Sequence, residues 1–195
     1  MSRFSGVHFL ISAVVPAQFP ADVGAEVAFA GRSNAGKSSA INAITQRQGL
    51  ARTSKEPGRT RLLNFFELMP SKRLVDLPGY GYANVSAAER SAWLPMLAAL
   101  RTRASLRGLF VIVDARRGFT AGDEGLLDWA QSELRMHVLL SKADKLNRSE
   151  AGAVLRESRD LLAGRATAQL FSAHKGTGVP EAQDILAGWL KQPPK

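Results

Sequence analysis

Short apolar runs alternate along this chain with longer stretches whose apolar positions recur every three or four residues. The runs Glu26–Ala30, Leu62–Leu68, Leu74–Asp76, Leu109–Asp114, His137–Ser141 and Ala168–Phe171 are short and β-type, so each predicts a strand. The stretches between them carry helix start signals. One helix opens within the Gly-rich segment 31–38 and runs to about Thr45. Ser86 with Glu89 three residues on forms a capping box ahead of Trp93, Leu97 and Leu100, which predicts a second helix. Pro95 falls inside that pattern and predicts a bend or a shifted start. Thr120 with Asp123 begins a third helix, and Asn147 with Glu150 a fourth that Gly164 ends. The last starts around Pro180, whose missing N–H is no loss in a first turn, and passes through Ile185 and Trp189. Strands alternating with helices predict an α/β fold around a mainly parallel sheet.

Two long segments escape this pattern, Gln46–Arg61 and Leu77–Val85. Irregular stretches of that length in a compact domain are usually functional. With 195 residues and no linker rich in Pro, Gly or Ser, the chain predicts one domain over 25–191. A lead-in, 1–24, packs on it, and a disordered tail, 192–195, follows. The lead-in imitates a secretory signal, with Arg3 before an apolar patch, but His8 and Ser12 interrupt the patch. No apolar run approaches the roughly 20 residues that span a bilayer. The expected setting is the cytoplasm, with no stable membrane association.

Composition changes the picture in one respect. The net charge is +9 and the pI about 10.5, more Lys and Arg than a nucleotide enzyme needs. That excess favours a polyanionic partner such as nucleic acid, the alternative being an evenly solvated basic surface. There is no cysteine, which excludes disulfides and thiolate metal sites.

The segment Gly31-Arg32-Ser33-Asn34-Ala35-Gly36-Lys37-Ser38 spaces Gly, four residues and Gly-Lys-Ser between a strand and a helix. Its glycines let backbone N–H groups turn toward phosphate, and the helix N-terminus adds its positive end. Lys37 would reach the β- and γ-phosphates and the Ser38 hydroxyl would bind Mg²⁺. Asp76-Leu77-Pro78-Gly79 then ends a strand in Asp-x-x-Gly. The carboxylate would hold the Mg²⁺ through water and the Gly79 N–H would meet the γ-phosphate. A plain turn would use the same residues.

Ser141-Lys142-Ala143-Asp144 selects the nucleotide. It resembles the Asn/Thr-Lys-x-Asp element of GTPases, in which Asp144 would accept the guanine N1–H and amine and the Lys142 stem would lie along the base. Ser stands where Asn or Thr is usual, which predicts a weaker stabilising contact. Phe171-Ser172-Ala173 follows another strand, and its N–H groups are placed to meet the guanine O6. A GTP switch also needs a threonine that moves onto the metal. Thr60 is preferred to Thr53 because Gly58 precedes it as a hinge and a strand follows. Arg52, Lys55, Arg59 and Arg61 make the same loop basic, either a partner surface or a solvated loop.

In their order, Gly-Arg-Ser-Asn-Ala-Gly-Lys-Ser-Ser, Pro-Gly-Arg-Thr before Asn64-Phe65-Phe66, and Asp-Leu-Pro-Gly-Tyr-Gly-Tyr-Ala closely resemble EngB-type GTPases, also called YihA or YsxC, of the Era/TrmE-like group. The resemblance covers nearly the whole chain. It implies a Ras-like fold of three layers, with a mostly parallel six-stranded sheet, one antiparallel strand and helices on both faces. It also implies a monomeric GTP switch that assists assembly of the large ribosomal subunit, meeting rRNA and ribosomal proteins, with cell division and septation affected downstream. Ser38 and Thr60 are implied as Mg²⁺ ligands. Gly31–Ser38 with Ser39, Gly58–Leu62 with its Arg59, Thr60 and Arg61, Asp76–Gly79, Ser141–Asp144 and Phe171–Ala173 are implied as nucleotide contacts. Lys37, Thr60 and Gly79 would act in hydrolysis. Tyr80 stands where many GTPases carry a water-orienting Gln, so intrinsic hydrolysis should be slow. Asn34 is a candidate K⁺ ligand by analogy with related GTPases, or it bonds only within its own loop. A P-loop ATPase or kinase, and a GTPase acting on tRNA modification or at the membrane, are the alternatives.

Overall fold

The computed structural model describes residues 4, 6–51, 62–80, 87–130 and 134–191, with the side chains of 87–93 left aside. The strands are β1 (His8–Ala13), β2 (Ala25–Gly31), β3 (Leu63–Met69), β4 (Lys72–Asp76), β5 (Leu106–Asp114), β6 (Arg135–Ser141) and β7 (Thr167–Leu170). The helices are α1 (Lys37–Thr45), α2 (Ala87–Arg101), α3 (Ala121–Ala130), α4 (Arg148–Leu162) and α5 (Val179–Leu190). They build one sheet in the order β1-β3-β4-β2-β5-β6-β7. Only β3 runs against both of its neighbours; β4, β2, β5, β6 and β7 pair in parallel.

Every residue of β2 and β5 is buried, as central parallel strands covered on both faces must be. Alternate side chains then feed two cores. Ala28, Ala30, Val111 and Val113 face Met96, Leu100, Leu126 and Leu127 of α2 and α3. Val27, Phe29, Phe110 and Ile112 face Ile41 and Ile44 of α1 and Leu186 and Trp189 of α5. Phe29, Phe110 and Trp189 stack in sequence with centroids 4.9 Å apart at each step. Gly108 makes room for this pile, since a Cβ there would lie 2.3 Å from the Trp189 ring.

The fold class is the expected one, with one strand more than the six foreseen. The signal-like stretch supplies it: His8–Ala13 pairs antiparallel with β3 from His8↔Glu67 to Ala13↔Leu63, with a bulge between Phe9 and Ile11. Phe4 and Val7, just before it, are buried in the α1/α5 core. At the other edge of the register, α4 starts as read. Asn147 Oδ1 accepts the Glu150 N–H at 2.9 Å and Glu150 Oε2 accepts the Asn147 N–H at 2.8 Å. It ends with Ala163 and Gly164 both in the left-handed region, so the turn begins one residue before the glycine. Pro95 lies within α2 rather than starting it. Ser86 lies outside the described residues, and so does the capping box expected there. The tail 192–195 does too.

The N-terminal ends of the central strands are closed by buried Glu26, which accepts from Arg73 Nε at 2.8 Å and Arg103 Nε at 2.6 Å. Among the described residues, the polar groups of the predicted motifs gather at the opposite, C-terminal ends, where parallel α/β sheets hold ligands.

Candidate functional site

The phosphate loop leaves β2 at Gly31, where a Cβ would sit 2.7 Å from the Ile112 carbonyl of β5, so only glycine lets the two strands stay paired. Gly36 has φ 103, a conformation that side chains rarely adopt, and this twist starts α1. The Ala35 N–H folds back to the Arg32 carbonyl at 2.9 Å. The first-turn N–H groups of α1, at Lys37, Ser38 and Ser39, have no intrahelical acceptor. Lys37 Nζ donates to the Asp76 carboxylate, with both side chains largely buried.

Asp76 ends β4 beside it. The Leu77 N–H bonds the Phe29 carbonyl at 2.9 Å, which carries the β2/β4 pairing past the strand end toward Pro78 and Gly79. Gly79 lies against the phosphate loop, where a Cβ would be 2.9 Å from Ser33 Oγ. The Ser33 N–H donates to the Tyr80 carbonyl at 2.9 Å. The Tyr80 phenol turns away from the loop and donates to Asp123 Oδ1 at 2.5 Å. Burial, then the charge and bond of Asp123, push the phenol far above its ordinary pKa. Tyr80 is therefore neutral and occupied, in keeping with its reading as no substitute for a water-orienting amide.

The base-selecting turn closes the other side. Ser141 Oγ donates to the Ala35 carbonyl and to the Val113 carbonyl, the latter at 3.1 Å. The short serine side chain reaches the phosphate loop because the end of β6 lies directly against it. Lys142 has φ 59, and its ammonium bonds the Asn34 carbonyl at 2.5 Å and Asp114 Oδ2 at 2.9 Å. The Ala143 N–H reaches the Phe171 carbonyl at 3.1 Å, joining this turn to the end of β7. Ser172 Oγ donates to Asp144 Oδ1 at 2.7 Å, and that bond is the chief reason the Asp144 carboxyl lies below its ordinary range. Ser172 Oγ accepts the Lys175 N–H at 3.1 Å, which fixes the Ser172-Ala173 turn.

The protein-family profile described as "50S ribosome-binding GTPase" matches residues 26–142. A "Probable GTP-binding protein EngB" of Tolumonas auensis is 49% identical over 194 residues, 97% of this chain and 92% of that protein. One from Coxiella burnetii is 45% identical over 196 residues, 98% and 96% of the two chains. The chain belongs to the EngB family of GTP-binding proteins. Membership makes it a P-loop GTPase. Solved structures agree on the fold. A crystal structure of a probable GTP-binding protein EngB superposes with TM-score 0.67 and 21% identity, over 87% of this chain and all of that one. Aquifex aeolicus Era superposes with TM-score 0.66 and 18% identity, over 86% and 57%.

Of the residues that the EngB resemblance implied, the structure brings together Gly31 through Ser39, Asp76 through Gly79, Ser141 through Asp144, and Phe171 through Ala173. Leu62 stands half-buried ahead of β3. Gly58, Arg59, Thr60 and Arg61, with Arg52, Lys55 and Thr53, lie outside the described residues. The segment that contains them is anchored at its start, because Asn42 of α1 accepts the Ala51 N–H at 2.8 Å and donates to the Ala51 carbonyl at 3.0 Å. The Asn34 backbone carbonyl is engaged by the Lys142 ammonium.

Two pairings were not in the sequence reading, which had Asp114 only as a strand end and Asp123 only as a helix start. Asp114 and Arg116 sit between the phosphate loop and the Lys142 turn, and Asp123 holds Tyr80 as well as the start of α3. A cleft of about 200 Å³ opens among them, bordered by Arg32–Ala35, Asp114, Thr120 and Asp123. The only sequence signal for Asp114 is a charged residue closing an unbroken apolar strand.

Proposed function

We propose that this chain is a slow GTP-hydrolysing switch that assists assembly of the large ribosomal subunit in the cytoplasm, as a monomer, with cell division dependent on it downstream. The observation that carries the guanine reading is the Asp144 carboxylate, held ionised by Ser172 on a turn whose Lys142 bonds the Asn34 carbonyl of the phosphate loop. A carboxylate presents two acceptors to the guanine N1–H and amine; adenine offers no such donor pair.

The donor set suits Mg²⁺. Ser38 in the first turn of α1 and buried Asp76 are hard oxygen donors, and among the described residues there is no group of three or more His, Cys, Asp or Glu that forms a protein cage. Mg²⁺ is commonly held this way, by one or two protein oxygens together with substrate phosphates. Ser38, Asp76 and Thr60 would hold it, and when bound it supplies charge neutralisation at the β- and γ-phosphates. Lys37 and Asp76 neutralise each other without ligand. With nucleotide, Lys37 would leave Asp76 for the phosphate oxygens, and Thr60 would draw the basic segment of Arg52, Lys55, Arg59 and Arg61 into order.

The ribosomal reading is supported by the family profile's description and by the net charge of +9. Era, of the same fold, has been seen with MgGDPNP and nucleotides 1506–1542 of 16S ribosomal RNA. Two measurements test the proposal. ATP should fail to displace labelled GDP where GTP succeeds; equal displacement removes the guanine reading. Large-subunit particles should carry the protein down with a GTP analogue more than with GDP, steeply weaker as salt rises. No co-sedimentation in either state removes the ribosomal reading.

A further inference from the structure

Asp114, the last residue of β5, is only 7% exposed and belongs to none of the nucleotide motifs. Four donors converge on its carboxylate. Oδ1 accepts the Arg116 N–H at 3.1 Å and Arg116 Nε at 3.0 Å. Oδ2 accepts Arg116 Nη2 at 2.7 Å and Lys142 Nζ at 2.9 Å. Burial opposes the charge, yet the Arg116 fork and Lys142 hold the carboxyl below its ordinary range.

The Lys142 ammonium, fixed on one side by Asp114, donates on the other to the Asn34 carbonyl of the phosphate loop. Both ends of that bond are strained: Lys142 has φ 59 and Asn34 φ 65, and neither is glycine. Such conformations persist only where surrounding contacts over-determine them. A lysine side chain is also among the costliest to immobilise, so one backbone carbonyl is a weak reason for it to stay. A buried, doubly clamped carboxylate is a sufficient one.

We propose that Asp114, clamped by Arg116, is a positioning residue for guanine-nucleotide binding: it holds Lys142 so that the base-selecting turn and the phosphate loop form one pre-organised unit. The inference rests on the guanine-nucleotide reading above. Neutralising Asp114 frees Lys142, and base and phosphates then meet two parts that no longer hold each other.

The experiment is a double-mutant cycle on the dissociation rate of a fluorescent GDP, with melting temperature measured separately in the absence of nucleotide. Asp114→Asn should release GDP roughly tenfold faster, the loss expected of a hydrogen bond to a charged group. In a Lys142→Ala background the same change should shift the rate by less than about twofold, since its effect travels through Lys142. Arg116→Gln, at a half-exposed side chain that puts folding at no risk, should give about a threefold increase. An unchanged rate in Asp114→Asn or Arg116→Gln overturns the proposal. So does a lowered melting temperature with an unchanged rate, or a full effect that survives in Lys142→Ala. Failure of the wild-type chain to bind GDP at all strikes instead at the guanine reading, before any variant is compared.

Discussion

Tyr80 occupies the residue position from which many GTPases orient water, but its hydroxyl is spent on Asp123. Asp123 is 2% exposed and also accepts the Thr120 N–H at 2.8 Å and hydroxyl at 2.6 Å. Removing one donor from a buried carboxylate costs about 1–2 kcal/mol. Tyr80→Phe should therefore lower the unfolding free energy measured in urea by that amount, whereas a phenol acting on the attacking water would show its loss in kcat. Asn34 makes the complementary prediction: hydrolysis should run faster in K⁺ than in Na⁺ at equal ionic strength, and Asn34→Ala should erase the difference. Equal wild-type rates in both salts leave Asn34 with no ion to hold. The motif residues were legible in the sequence because each chemistry demands its residue at a set spacing. The bonds of Asp114 to Lys142 and of Asp123 to Tyr80 were not, because a carboxylate that acts through a neighbour has no fixed distance from it along the chain.

At the scale of elements, β6, β7 and the start of α5 meet at His137. Its Nε2 is 2.9 Å from Gln169 Oε1 and its Nδ1 2.6 Å from Thr167 Oγ1. Gln169 in turn donates to the Gly178 carbonyl at 2.8 Å, just before α5. Burial pushes His137 below its ordinary pKa of 6.5, partly offset by Gln169. The unfolded chain therefore takes its proton first. Stability should hold above about pH 7 and fall as pH drops below about 6.5, down to the folded pKa. His137→Gln should flatten this slope between pH 7.5 and 5.5, with His8 and His174 unchanged in both proteins; equal slopes would exclude His137 as the titrating group. The central strands were readable because burial on both faces leaves an unbroken apolar run. The strand β1 was not, because Phe9 and Leu10 stay exposed on an edge and the same pattern fits a packed lead-in.

For the whole molecule, β1 is more than a margin. Phe4 and Val7 fill the α1/α5 core and β1 covers the outer side of β3. Deleting residues 1–13 should cost about 3–6 kcal/mol from those two side chains alone, as burial of each is worth roughly 1.5–3 kcal/mol. Chemical denaturation of the shortened chain checks this, and an unchanged midpoint would leave the N-terminal strand without a stabilising role. The clamp of Asn42 on Ala51 has a further consequence, in the language of polymers. Ala51 is thereby fixed to α1, and the sheet resumes at Leu63 of β3. Ten residues held at both ends reach at most about 17 Å from their anchors, at roughly 3.4 Å each along half the loop. A metal ligand drawn from between those anchors, as Thr60 is proposed to be, would meet the phosphate site at an effective concentration set by chain length and not by diffusion.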